Sequence, residues 1–250
     1  INKDNLESKL YSKIYSGDIT KNKFYDFLPS FYVYSITPDF YHPERYFWVC
    51  TEGQGFYKVD YLNQKFEMIH FPVDSANVRS DLMQCYNLKF GKDGTIYLGT
   101  YYGLAIISRD YKKMEIFHYS QDNPDGIQSG GIRNLLFDKD GVLWLGSDMD
   151  GLSYFDKKNK KFVKYKTDPN NSNSLSSNRI TAIHEDQNGF LWIGTWGGGL
   201  NKLNKKTGKV KVYTSNNGLP NNVVYAILDD GNNNLWVSTN IGLSRFNIAS

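Results

Sequence analysis

The chain has 250 residues, with 29 Lys plus Arg against 26 Asp plus Glu and a formal net charge of +3. That length suits one large domain, and the lysines lack the one-sided stripe of a nucleic-acid reader. Aromatics make up 16% of the chain and Gly numbers 22, which favours strands and tight turns over helices. No apolar run approaches the length of a membrane span.

In chain order, Lys9-Leu10-Tyr11-Ser12-Lys13-Ile14-Tyr15 reads first, as an outer strand. Five units follow, at about 24–71, 82–119, 130–165, 178–213 and 222–247. The fullest copy is Asn188-Gly189-Phe190-Leu191-Trp192-Ile193-Gly194-Thr195-Trp196-Gly197-Gly198-Gly199-Leu200. Related blocks run Asp140-Gly141-Val142-Leu143-Trp144-Leu145-Gly146-Ser147 and Asp93-Gly94-Thr95-Ile96-Tyr97-Leu98-Gly99-Thr100. Looser copies hold Trp48 and Trp236. The anchoring aromatics at 48, 97, 144, 192 and 236 are therefore spaced by 49, 47, 48 and 44 residues. This period, with four short strands per unit, predicts an all-β fold: a β-propeller of four-stranded antiparallel blades, five repeats in this chain. The fifth unit stops short of a fourth strand. Residues 9–15 are expected to supply it and close the ring, because an open sheet edge invites pairing with other chains.

The frame explains several residues that look chemical in isolation. Asp138-Lys139-Asp140-Gly141 and Asp186-Gln187-Asn188-Gly189 resemble calcium loops, but the twelfth positions would be Met149 and Gly197, which offer no bidentate carboxylate. They are expected to be turns. His70 and His118 fall on outer strands, away from one another, so no metal site is expected. Lys112-Lys113, Lys157-Lys158, Lys160-Lys161 and Lys205-Lys206 recur at one hairpin and are expected to keep a rim solvated. Cys50 and Cys85 make neither a framework nor a CxxC and are expected to be free, inert fillers. Arg79, Arg133 and Arg179 precede or open three successive units, but at unmatched repeat positions, which disfavours a sialidase-like arginine cluster.

The block D-x-[DN]-G-x-[LI]-W-[IL]-G-[ST]-x-x-G-[GL]-L, with its lead-in Ser174-Leu175-Ser176-Ser177-Asn178-Arg179-Ile180, resembles the two-component regulator propeller repeat. The resemblance covers nearly all of the chain after about residue 24. It implies a periplasmic sensor region of a bacterial hybrid two-component system, in a ring of seven blades. Only five units are present here.

Binding residues are expected where the repeat is irregular, at the turns between second and third strands and the connections between units. The candidates are Glu52, Gln54, Tyr101, Tyr102, Asp148, Asp150, Arg179, Trp196 and Asn240. Aromatic faces beside carboxylates and amides suit sugars, whose apolar faces stack while their hydroxyls take hydrogen bonds. The expected function is ligand recognition without turnover, by a sensor propeller binding a carbohydrate or partner chain. No catalytic residue, cofactor or metal is assigned. The expected partners are an oligosaccharide and a second copy or neighbouring sensor domains, with neither nucleic acid nor a membrane segment. A propeller lyase or glycoside-active enzyme and a purely structural interaction platform are the alternative readings.

Overall fold

A computed structural model describes residues 32–53, 55–63, 65–69, 83–123, 125–127 and 130–248. The expected closing strand at 9–15, together with Gln54, His70 and Arg79, lies outside these residues. The first blade contains β1 (Val33–Pro38), β2 (Tyr46–Thr51), β3 (Phe56–Asp60) and β4 (Lys65–Met68). The second contains β5 (Cys85–Phe90), β6 (Ile96–Thr100), β7 (Gly103–Ile107) and β8 (Met114–His118). The third holds β9 (Ile132–Phe137), β10 (Leu143–Ser147), β11 (Leu152–Asp156) and β12 (Lys161–Tyr165). The fourth holds β13 (Ile180–Glu185), β14 (Phe190–Thr195), β15 (Leu200–Asn204) and β16 (Val210–Tyr213). The fifth has β17 (Val224–Asp229), β18 (Asn234–Thr239) and β19 (Gly242–Asn247), and no fourth strand joins its sheet among the described residues. Every sheet is an antiparallel meander. The first strands β1, β5, β9, β13 and β17 pack consecutively along the inside. One rim carries the turns between second and third strands and the connections between blades; this is the upper rim here. The other carries the remaining hairpins.

One seam recurs between blades. Trp48, Tyr97, Trp144 and Trp192 are each buried against the next blade's first two strands. Two residues beyond each aromatic, the chain must be small. A Cβ on Gly146 would sit 2.7 Å from Ile180 Cγ2, and one on Gly194 2.6 Å from Val224 Cγ1. Both contacts are tighter than packed interiors tolerate.

The first seam fills that contact differently. Cys50 occupies the glycine position and Cys85 the Ile180 position, and the two form a disulfide. The expectation of free thiols is therefore corrected. Residues at these two repeat positions touch across every seam, so two cysteines placed there must meet.

The indole N–H of each buried Trp needs an acceptor. Trp48, Trp144 and Trp192 donate to Asp39, Asp138 and Asp186 at 2.8, 2.9 and 2.8 Å. The second oxygen of each carboxylate caps its own hairpin, as Asp138 does with Val142 N–H at 2.8 Å. The turns at Asp138 and Asp186 are those that resembled calcium loops. In the second blade the aromatic is Tyr97 and the Asp position is Gly91, where a Cβ would lie 3.1 Å from the tyrosine ring.

The fifth blade departs from this frame. Trp236 is 37% exposed, whereas Trp192 is fully buried. Leu228, across β17 from Trp236, and Leu243, across β19 from Ser238, are also exposed. Asp230 accepts from Asn234 Nδ2 at 2.9 Å rather than from the indole. Among the described residues, the main contacts of the fifth blade's strands are with the fourth blade.

Candidate functional site

The site begins with a registry defect repeated in every blade. Where the first strand pairs with the second, one residue is skipped: Tyr34, Tyr86, Arg133, Thr181 and Tyr225. Such bulges re-aim a side chain. All five occupy one repeat position, near the upper end of the innermost strand, so the fold presents five re-aimed side chains around the inner mouth. Sequence reasoning missed this set, apart from Arg133 as one of three arginines at unmatched repeat positions. The signal was present: apolar residues recur there at i and i+3, as in Ile132/Leu135 and Val224/Ile227, instead of at the strand period of two.

The turns beside the bulges are held firmly. Glu52, Tyr101, Asp148 and Trp196 each donate a backbone N–H to the lead-in of their own first strand, at Tyr32, Gln84, Gly131 and Arg179. Gly197 and Gly199 both donate to the carbonyl of Asn222 in the next connection. The rim is therefore a backbone-braced platform.

On this platform, side chains from the five blades form one unbroken line of contacts. Glu52 lies beside Tyr34, whose hydroxyl is pushed up to about 12 by burial and by that carboxylate. Tyr34 meets Tyr86 edge to face at 4.8 Å. The Arg133 guanidinium lies over Tyr86 at 4.4 Å. Burial raises the Tyr86 hydroxyl above its ordinary value, and the Arg133 charge opposes that rise. Arg133 Nε stands 3.1 Å from Asp148 Oδ2, and Arg179 Nη2 stands 3.6 Å from Asp148 Oδ1. Arg179 lies over the Trp196 ring at 5.0 Å. Trp196 meets Tyr225 edge to face at 5.7 Å, and the Tyr225 hydroxyl donates to Asn240 Oδ1 at 2.6 Å.

Of the expected binding residues, Glu52, Asp148, Arg179, Trp196 and Asn240 belong to this line. Tyr101 and Tyr102 pack on each other at 5.1 Å and are exposed beside it. Asp150 is paired with Lys166. Tyr34, Tyr86, Arg133 and Tyr225 are additions. Trp196 is 43% exposed, so stacked contacts orient it without covering it.

A second feature lies at the lower rim of the seam between the third and fourth blades. A cavity of about 670 Å³ there is lined by Trp144, Tyr154, Tyr165 and Lys205, among others. Lys205 Nζ contacts Asp138 at 2.8 Å, Glu185 at 2.7 Å and Asp140 at 3.1 Å. Burial works against the lysine charge, but the three carboxylates raise its pKa well above the ordinary lysine value. Burial alone would raise Asp138 as well; hydrogen bonds from Lys205, the Trp144 indole and Val142 N–H hold it low. The lysine already supplies the cation that these carboxylates could otherwise hold. This is a structural clamp between blades.

The fold and the upper rim together define a repeat propeller with a polar and aromatic inner mouth. The model of the two component regulator propeller matches residues 126–149, 174–197 and 218–240, in each case a connection, first strand, second strand and following turn. Three stretches of the chain thus match this repeat. It is similar to the extracellular domain described as that of a hybrid two component system from B. thetaiotaomicron, with 25% identity and a TM-score of 0.72 over 86% of this chain and 28% of that one. PorZ, a surface component of the type-IX secretion system of Porphyromonas gingivalis, shares the fold at 21% identity and a TM-score of 0.64, over 86% of this chain and 32% of that one. The β-propeller domain of Swd1 from Myceliophteria thermophila shares it at 15% identity and a TM-score of 0.62, over 86% of this chain and 70% of that one. No curated protein sequence is matched. The chain thus spans about a third or less of the length of the first two relatives. Among the described residues, no helix is long and apolar enough to cross a membrane.

Proposed function

We propose that this propeller is the ligand-recognition part of a bacterial signalling protein, and that it binds a carbohydrate at the upper mouth without turnover. The observation that carries this reading is the line of contacts from Glu52 to Asn240, assembled from all five blades, four of which brace the turn beside it through the backbone. A line of that extent suits a ligand longer than one sugar ring. Trp196 and Tyr225 offer aromatic surface for stacking, and Asn240 and Asp148 offer hydrogen-bonding groups. Similarity to an extracellular two component domain supports a sensor role. That similarity, together with the Cys50–Cys85 disulfide, supports a periplasmic or other extracytoplasmic setting, because disulfides persist in oxidising compartments. A lyase or hydrolase needs an acid–base pair aimed at the bond to be cleaved. Asp148, the carboxylate at the centre of the line, faces two guanidinium groups instead. The test is calorimetry against an oligosaccharide panel, with a product assay on the same mixtures. Binding weakened tenfold by Trp196→Ala, with no product released, is the expected result. Product release by the wild-type chain would overturn it in favour of an enzyme. Silence throughout would favour an interaction platform.

A further inference from the structure

Two arginines at the centre of the mouth share one carboxylate, and neither is satisfied by it. An arginine offers five N–H donors in a planar fork, and a carboxylate binds it best through two parallel hydrogen bonds. Asp148 gives no such pair. Arg133 Nε approaches Oδ2 at 3.1 Å off the hydrogen-bonding axis, so this buried nitrogen has no hydrogen-bond partner. Arg179 reaches Oδ1 only at 3.6 Å. The triad carries one net positive charge. Its arginines are half exposed or nearly so, at 50% for Arg179 and 39% for Arg133.

Both forks are nonetheless held in place. Arg133 lies on the Tyr86 ring and Arg179 on the Trp196 ring. Stacking fixes a guanidinium plane while leaving its N–H edge available, which lysine could not do. The two planes come from neighbouring blades and converge on one acidic group. The next carboxylate along the line, Glu52, lies beside Tyr34 at the first-blade end. It disfavours an anion there and leaves the third and fourth blades as the place for one.

We propose that the mouth recognises its oligosaccharide through an acidic substituent, a carboxylate or sulfate, held in the forks of Arg133 and Arg179. This rests on the sensor reading above and names the ligand class for the same site. Asp148 is an internal placeholder: it keeps the two arginines from repelling each other in the empty site and yields them to a ligand anion that can meet them squarely. Trp196 and Tyr225, adjoining Arg179, take the face of the neighbouring ring.

The test uses matched probes and the whole chain. An oligogalacturonide is compared with its carboxyl-reduced form, and a chondroitin sulfate oligosaccharide with its desulfated form, by calorimetry at low and high salt. The acidic member of at least one pair is expected to bind at least tenfold more tightly, with affinity falling as salt rises; the pair that responds identifies carboxylate or sulfate. Arg133→Gln and Arg179→Gln should each abolish most of that preference, bringing the affinities of the acidic and neutral members toward equality, in chains whose melting shows that they remain folded. Asp148→Asn should raise acidic-probe affinity several-fold, because it frees both forks. A loss of affinity in Asp148→Asn, or equal binding of acidic and neutral members, overturns the proposal. Acidic and neutral sugars that bind alike, weaken with Trp196→Ala and ignore both arginine variants would overturn the anion while leaving the sensor reading standing. Failure of every acidic and neutral sugar would sink both.

Discussion

The disulfide at the first seam gives the sharpest test of the repeat logic. Cys50 and Cys85 are 35 residues apart in sequence. Closing a loop of that length removes enough unfolded-chain entropy to stabilise the fold by about 4 kcal/mol. For a domain of this size, that is on the order of 10 °C in melting temperature. The informative variant is the pair Cys50→Gly with Cys85→Ile, which rewrites this seam in the residues of the third, Gly146 against Ile180. It should lose the cross-link and keep the packing, so the loss stays near 4 kcal/mol. Cys50→Gly with Cys85→Ala loses the cross-link and also leaves a void, at a further cost of about 1 kcal/mol or more. Calorimetric melting of oxidised wild type and the two double variants separates these effects. Thiol titration of the denatured, unreduced wild type should find no free thiol. Two free thiols, or a Gly/Ile variant less stable than the Gly/Ala variant, would refute the equivalence of the seams.

Trp144→Ala should cost about 3–5 kcal/mol, since it empties the seam between the third and fourth blades and orphans Asp138; a chemical melt matching the parent would count against the blade register. Lys205→Met should cost about 3–5 kcal/mol, because it leaves the buried carboxylates of Asp138 and Glu185 facing each other without a cation. Lys160→Met, whose pair with Glu115 is exposed, should cost under about 1 kcal/mol by the same denaturant assay. Asp39 and Asp138 both titrate below the ordinary carboxylate value. Burial opposes this, but indole, lysine and backbone hydrogen bonds to the charged form outweigh it. A depressed folded pKa adds stability above the unfolded value, so stability should be full at neutral pH and fall below about pH 4. Tryptophan fluorescence against pH should show that loss, and a chain equally stable at pH 2 would contradict it. At the alkaline end, Tyr34 should ionise late, near its raised value of about 12, as read by phenolate absorbance in wild type against Tyr34→Phe.

How much was legible in the sequence depended on whether a signal repeats. The aromatic at 48, 97, 144, 192 and 236 recurs with a small residue two positions on, and this alone determined blades, strand order and the burial of Trp144. The Asp-Gly hairpins were legible for the same reason, because a turn's chemistry is local. The irregular turns also singled out Asp148, Trp196 and Asn240, which lie on the line of contacts along the upper rim. Contacts between blades were decided only in three dimensions. Cys50 and Cys85 look unrelated along the chain and meet because the second strand of one blade abuts the first strand of the next. Arg133 seemed out of phase with Arg179 because one lies in a bulge and the other in the connection before a strand. Only the curvature of the inner wall brings both to Asp148, and stacking on Tyr86 and Trp196 holds them there. Local pattern determined which elements form; the crossing of sheets around an axis, which depends on residues about one repeat apart, decided which side chains share a site.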